Sequence, residues 1–254
     1  MKRVILILII LGLIVGCGLG KGEGRIVILG IDSPPPRNLD NIYLKINEIR
    51  ALSSGGEWIT LDNSAYTWDI MRFFNGGTGL LCVKTLEAGH YTDIWLEFAD
   101  TNGIVIDGVP YPLIIQNEEE TGVKLAQEFD VTKDETVEIV VDFEASKSIE
   151  WTGDQYLLHP EFRVFEKAFS GAVLGSVEDT LGAGIPNALC EGVTSTLDTL
   201  STLTDSTGGY VLILLGDTYK IIASAEGYTT SDTVYSDVVV VADSILEGYD
   251  FTLQ

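Results

Sequence analysis

The chain has 254 residues, of which 46% are hydrophobic, and its 15 basic and 38 acidic residues give a formal charge of −23 at pH 7. This length suits two small domains or one large β domain. A surface this acidic repels the phosphates of DNA and RNA and the headgroups of anionic lipids, so nucleic acid is excluded as a partner and any membrane contact requires a separate anchor.

The first 17 residues have the build of a secretory signal. Lys2 and Arg3 precede an apolar run from Val4 to Val15, and Gly16-Cys17 follow. Twelve apolar residues are fewer than the ~20 that a membrane-spanning helix needs. The sequence therefore favours export and disfavours a membrane span.

The end of this segment, residues 14–17 (IVGC), resembles a bacterial lipobox. The resemblance implies cleavage before Cys17 and a diacylglycerol on its thiol, with 1–16 as lipoprotein signal peptide and 17–24 as lipidated tether. The alternative is an ordinary signal peptide that contains a cysteine. Because Gly18 is not Asp, the resemblance to known sorting implies the outer membrane in a cell with two membranes.

Short alternating segments follow from residue 25. The period-two pattern of apolar residues predicts half-buried strands. These predicted strands are 25–31, 42–52, 58–61, 80–86, 91–98, 103–106, 112–116, 123–129, 137–143 and 161–165. Residues 69–74 are the short helical candidate, and the polar segment 143–156 is predicted to be a loop. Closely spaced strands with almost no helical period predict an all-β sandwich.

Several blocks in this region carry a family resemblance. They read DSP at 32–34, KINEI at 45–49, AGHYTDIWL at 88–96, VDFEASKS at 141–148 and YLLHP at 156–160. Over about 26–166 the chain resembles domain of unknown function 4382, an uncharacterised family of bacterial and archaeal lipoproteins. It departs from the family at Trp95, where Arg is expected, and at His159, where Lys is expected. The resemblance supports the fold and the location of the protein and implies no activity.

The composition changes near residue 169. Residues 170–254 hold one basic residue, Lys220, and 12 acidic ones, whereas 25–168 hold 11 and 25. The blocks GIPNA at 184–188, TDSTGGY at 204–210 and GDTYKIIA at 216–223 resemble the carboxypeptidase regulatory-like domain. That resemblance implies a transthyretin-like, seven-stranded Greek-key sandwich that serves as a structural or interaction module. The chain is thus predicted to be two tandem β-sandwiches, 25–168 and 170–254.

The sequence offers little chemistry. His90 is predicted in a turn and His159 at the start of a strand, and Asp93 is offset from His90 by three residues, which places them on opposite faces of a strand. The sequence has no CxxC, HExxH, Walker or calcium-loop motif, so no catalytic residue, metal or cofactor is predicted. Cys82 and Cys190 fall in different predicted domains, so two buried free thiols are favoured over a disulfide between them.

Exposed aromatics are the remaining candidate site. Tyr66, Trp68 and Trp151 lie in polar, loop-like settings, where their rings could stack on sugars or on a protein partner, although packing over a sandwich end is the commoner role of such aromatics. The sequence favours a lipid-anchored exported protein without catalytic activity, displaying two modules for carbohydrate or protein binding or for envelope assembly. The alternative is a carboxylate-dependent extracytoplasmic hydrolase such as a glycosidase, which needs two carboxylates facing one cleft.

Overall fold

A computed structural model describes residues 22–33, 39–115, 121–229 and 233–254. This part of the chain holds 21 β-strands, two 3₁₀ helices and one four-residue α-helix. The predicted all-β class is confirmed. None of the helices described is long and apolar enough to cross a membrane.

Thirteen of the strands belong to a first sandwich. They are β1 (Glu23–Ser33), β2 (Leu39–Ser53), β3 (Trp58–Asp62), β4 (Tyr66–Asp69), β5 (Gly79–Glu87), β6 (Gly89–Phe98), β7 (Asn102–Ile106), β8 (Val109–Ile115), β9 (Gly122–Val131), β10 (Thr136–Glu144), β11 (Ile149–Trp151), β12 (Tyr156–Leu158) and β13 (Phe162–Glu166). A 3₁₀ helix, Ile70–Phe73, follows β4, and α1 (Ala145–Ser148) follows β10.

The two sheets of this sandwich differ in width. The narrow sheet has four strands in the order β13-β10-β1-β5, with β1 parallel to β10 and antiparallel to β5. The wide sheet runs β11-β12-β8-β7-β2-β6-β9, and β3 and β4 also pair with β2. Alternation along β2 buries Ile42, Leu44 and Ile46 between the sheets, where they meet Ile26 and Ile28 of β1.

Three segments differ from the sequence prediction. Residues 66–69 form β4, because they pair with β2, and only Ile70–Phe73 turns helically. The predicted loop 143–156 contains α1 and β11. The predicted tether ended at residue 24, but Glu23 and Gly24 already belong to β1 and pair with β5. Pairing of β1 with β5, of β4 with β2 and of β11 with β12 sets where these strands lie, and local sequence does not report it.

Within the described residues the second sandwich comprises eight strands, one more than the seven that the resemblance implied. They are β14 (Ser170–Asp179), β15 (Leu189–Thr194), β16 (Thr199–Leu203), β17 (Gly209–Leu215), β18 (Asp217–Ser224), β19 (Tyr235–Val240), β20 (Ile245–Leu246) and β21 (Phe251–Leu253). One sheet has the order β17-β14-β20 with β21 also on β14, and the other has the order β16-β15-β18-β19. Residues such as Val173, Leu212 and Phe251 fill a core separate from the first.

The two sandwiches are in direct contact. Ile31, Val140 and Phe165 of the first form a small apolar cluster with the partly buried Ile213 and Leu215 of the second. The second 3₁₀ helix, Lys167–Phe169, connects β13 to β14. The interface therefore has an apolar centre close to the covalent link.

Polar groups complete this interface. Asn75, with φ of 55°, donates from its amide nitrogen to Gly209 O at 3.1 Å and accepts the Val211 N–H. Its backbone N–H donates to the Thr202 hydroxyl at 3.0 Å. Arg163 lies 2.8 Å from Glu144 and donates to Thr199 O at 3.1 Å. These directional bonds fix how β16 and β17 sit against the first sandwich.

Candidate functional site

Trp68 does not form an exposed platform. β4 pairs with β2 so that Trp68 lies opposite Leu44, and its side chain is 2% exposed. The indole stacks on Phe162 at 6.4 Å and covers Gly30, where a Cβ would come within 2.3 Å of Cζ2. The prediction of Trp68 as an exposed aromatic is wrong, because the core takes the ring.

Tyr66 lies two residues before Trp68 in β4 and therefore faces the same way. Its side chain is half-buried and packs against the first core. Burial, then the Cys82 thiol and the Asp62 carboxylate, raise the pKa of Tyr66 well above its ordinary value. Tyr66 thus packs at the core rim, and Cys17, the predicted lipidation site, lies outside the described residues.

Trp151 is the exposed member of the predicted set, with 52% of its surface accessible. Its ring centroid lies 4.5 Å from that of Tyr156, which lies 5.4 Å from that of Tyr111. Tyr111 is itself 39% exposed. These three side chains, called the aromatic row below, come from three neighbouring strands.

Sheet register places the aromatic row on the core-facing side of the wide sheet. Trp151 lies opposite Tyr156, and Tyr156 opposite Leu113, which is 1% exposed and belongs to the core. Tyr111 is two residues from Leu113 in β8 and shares its face. The four-stranded narrow sheet is too narrow to cover seven strands, so the rings at the β8-β12-β11 end stay accessible.

A polar turn borders the aromatic row. Residues 152–155 connect β11 to β12, and the Thr152 N–H donates to Gln155 O at 3.1 Å. The Thr152 hydroxyl donates to the Asp154 carboxylate at 2.7 Å. Gly153 has φ of 103°, a conformation that other residues rarely adopt. The turn therefore presents hydroxyl and carboxylate groups beside Trp151.

Tyr111 and Tyr156 were not identified from the sequence. Tyr111 stands between Pro110 and Pro112, in a segment predicted as a strand from residue 112. Two prolines in a strand indicate limited pairing and an edge-like position. Aromatics in such a strand are candidates for exposure, and this signal could have found Tyr111.

A second aromatic group lies on the outer face of the wide sheet. The Arg50 guanidinium is 5.6 Å from the Trp58 ring and 5.4 Å from the Trp95 ring. It also lies 3.3 Å from Glu48 and 3.8 Å from Glu97. The cation is held by partners within the sheet, so this group covers the outer face.

The two histidines pair with carboxylates, and the two described cysteines are buried. His90 lies in β6, not in a turn, and its Nδ1 is 3.0 Å from Asp130, while His159 follows β12 and lies 3.1 Å from Glu150. Cys82 and Cys190 are free and buried, as predicted, and burial followed by Asp62 raises the pKa of Cys82 to about 12. A thiol so hard to ionise is a poor nucleophile.

An acidic cleft of about 500 Å³ lies where the sandwiches meet. Carboxylates line it, from Asp130, Glu135, Glu138, Glu166 and Asp243. Burial, and then Asp130, raise the pKa of Glu166, while Lys167 pairs with Glu138 at 2.9 Å. Across the described ranges no three His, Cys, Asp or Glu side chains converge well enough to hold a metal ion.

A family model described as a domain of unknown function (DUF4382) matches residues 23–160, more than half of the chain. The chain belongs to this family. The family predicted for the first sandwich is thereby confirmed. All three members of the aromatic row lie within the DUF4382 domain. No curated protein matches the sequence significantly.

Solved structures give distant likenesses. The TIE protein of Bacillus anthracis is 13% identical with a TM-score of 0.30, covering 92% of this chain, which spans only 34% of that protein. The shaft pilin SpaA of Lactobacillus rhamnosus GG is 9% identical with a TM-score of 0.28, covering 91% of this chain and 96% of the pilin. The 3-chlorocatechol 1,2-dioxygenase of Rhodococcus opacus 1CP is 15% identical with a TM-score of 0.26, covering 33% of this chain and 58% of the enzyme. At TM-scores of 0.30 and below, these likenesses assign no function to the chain.

Proposed function

We propose that this chain is an exported lipoprotein, anchored through Cys17, that binds an envelope ligand and catalyses no reaction. Its binding site is the aromatic row Tyr111, Tyr156 and Trp151. The second sandwich, which resembles the carboxypeptidase regulatory-like domain, serves as a module rigidly joined to the first.

The exposure of the aromatic row is the observation that carries this proposal. Large rings gain most by burial, and Trp151 leaves about half of its surface in water. Clustered aromatic side chains with a polar border are typical of binding surfaces. The pairing of β11, β12 and β8 holds the rings in place before any ligand arrives, which lowers the entropic cost of binding.

The binding test measures retention of the chain on isolated envelopes of the producing cells. We expect Trp151→Ala to lower retention at least ten-fold, with Trp58→Ala as the matched control, since Trp58 is also exposed but lies in the Arg50 group. Equal retention of both variants would contradict a ligand site at the aromatic row. Unfolding temperatures of both variants check that neither change acts through folding.

The anchor has its own test. Cys17→Ser removes the thiol that would carry the lipid, so the variant should move from the detergent phase to the aqueous phase in detergent partitioning. A single acyl signal binds membranes weakly and a diacyl anchor binds stably, so the difference should be large. Continued detergent partitioning of Cys17→Ser would contradict the lipoprotein assignment.

One observation favours the hydrolase alternative. Glu166 has a raised pKa and faces the acidic cleft together with Asp130, and a general acid needs such a carboxyl. If the chain hydrolyses glycosides, Glu166→Gln should abolish release of reducing sugar from envelope polysaccharide. Release that persists in that variant, or its absence from the unsubstituted protein, rejects this alternative.

A further inference from the structure

We infer that the ligand of the aromatic row is an uncharged glycan chain, bound across the strands with successive sugar rings on Tyr111, Tyr156 and Trp151. This inference rests on the proposed function and names the chemical class of its ligand.

The spacing of the rings is the first argument. Centroids separated by 5.4 and 4.5 Å follow the distance of about 4.8 Å between neighbouring strands. Successive pyranose rings of a linear glycan repeat at nearly the same distance. The Tyr156 and Trp151 rings, with centroids 4.5 Å apart, stack on each other, so the apolar C–H face of one sugar can meet the opposite face of Trp151 while the neighbouring sugars contact the two tyrosines.

The tilt of the rings is the second argument. Planes of Tyr111 and Tyr156 meet at 60°, and those of Tyr156 and Trp151 at 38°. Sheet twist supplies about 20–25° between neighbouring strands, and side-chain rotamers supply the rest of these angles. A flat ligand contacts one such ring at a time, whereas a glycan whose residues rotate about their linkages contacts all three.

Local charge gives the third argument. Segments 109–115 and 149–160, which form β8, β11, β12 and the connecting turn, contain no Lys or Arg, and they contain Glu150 and Asp154. An anionic polymer would find no Lys or Arg in these segments and would approach against the charge of the whole chain. Asp154, which already accepts from Thr152, can accept further hydrogen bonds from sugar hydroxyls beside Trp151.

A small cation fits the aromatic row less well. Recognition of quaternary ammonium groups uses rings arranged around a space that the cation fills. Here neighbouring rings contact each other directly at 4.5 and 5.4 Å, so they form a surface and leave no enclosed space between them.

The experiment uses the Cys17→Ser chain, titrated calorimetrically with neutral oligosaccharides of one to six glucose, mannose, xylose or N-acetylglucosamine residues. A galacturonate hexamer serves as the anionic probe, and tetramethylammonium serves as the cationic probe. We expect at least one neutral series to bind, with affinity rising ten-fold or more from one to three residues and then levelling. Trp151→Ala should lower that affinity at least ten-fold, and Trp58→Ala should leave it unchanged.

Four results would overturn the inference: no neutral series binds, affinity is independent of length, a charged probe binds as well, or Trp58→Ala costs as much as Trp151→Ala. Envelope retention separates this failure from that of the proposed function. Retention that depends on Trp151 while no glycan binds would reject the glycan and keep the binding site. Retention independent of Trp151 would reject both.

Discussion

Trp68 and Trp151 differ in what surrounds their indole rings. Trp68 is 2% exposed between the sheets, and Trp151 is 52% exposed at the end of the wide sheet. Sequence alone treated both as aromatics in polar, loop-like segments. The difference arises from pairing: β4 lies on the central strand β2, whereas β11 is the outermost strand of its sheet. The residues adjacent in sequence do not indicate whether a strand will pair at the centre or at the edge of a sheet.

This difference predicts opposite effects on stability. Trp68→Ala should lower the free energy of unfolding by about 3–5 kcal/mol, because it empties a large core site. Trp151→Ala should change it by about 1 kcal/mol or less, because the ring is half exposed and loses only its contact with Tyr156. Urea unfolding followed by circular dichroism measures both. A Trp151→Ala loss as large as that of Trp68→Ala would show that the aromatic row is part of the core.

The raised pKa of Glu166 predicts that the stability of the folded protein depends on pH. Burial and then Asp130 raise the pKa of this side chain from the ordinary 4.5, so it stabilises the folded protein below 4.5 and loses this contribution as pH rises through the folded pKa. Glu166→Gln should therefore be more stable than the unsubstituted protein at pH 7 and less dependent on pH between 4 and 7. Glu57→Gln, at an exposed turn, is the control. Identical pH profiles for Glu166→Gln and the unsubstituted protein would contradict the prediction.

At the scale of elements, the sequence predicted most strands of the first sandwich from alternation, including β2, β5, β6 and β10. It could not predict that β1 lies parallel to β10, because that pairing joins residues more than a hundred positions apart. The aromatic row depends on such pairing as well: Tyr111 and Tyr156 meet only because β12 aligns with β8. The sequence therefore identified only Trp151 among the three residues of the aromatic row.

The segment after the first 3₁₀ helix predicts how the sandwiches are coupled. Asn75→Ala removes the amide bonds to Gly209 and Val211 and places a less suitable residue at φ 55°, so it should cost about 2 kcal/mol. Asn75→Gly keeps the conformational freedom and loses only the amide bonds. Chemical unfolding of both variants separates the two contributions. Equal stability of the unsubstituted protein and both variants would show that Asn75 does not couple the sandwiches.

At the scale of the whole molecule, two cores meet at a third, smaller cluster. Every described member of the second core lies within 173–253, so the first sandwich contributes none of them. Ile213 and Leu215, in contrast, depend on Ile31 and Phe165 for part of their burial. The second sandwich is thus expected to fold alone but to expose an apolar face when it does.

An isolated 170–254 fragment should fold as a β domain and gain stability with added NaCl, because salt screens repulsion among its 12 acidic residues. Ile213→Ser should cost about 1–2 kcal/mol in the full chain, where the side chain is partly buried, and almost nothing in the fragment. Thermal unfolding at several salt concentrations tests both statements. A fragment that remains unfolded in all of them would mean that the first sandwich completes its core.

The central position of β1 has a mechanical consequence. Its residues 25–33 pair in parallel with β10, and residues 23–30 pair with β5 on the other side. Glu23 lies only six residues after Cys17, a span of at most about 20–22 Å. With a lipid on Cys17, tension between the membrane and a ligand held at the aromatic row would enter the fold along β1. Two hydrogen-bonded ladders would then resist together as a shear clamp, and the bonds would have to break collectively instead of one after another.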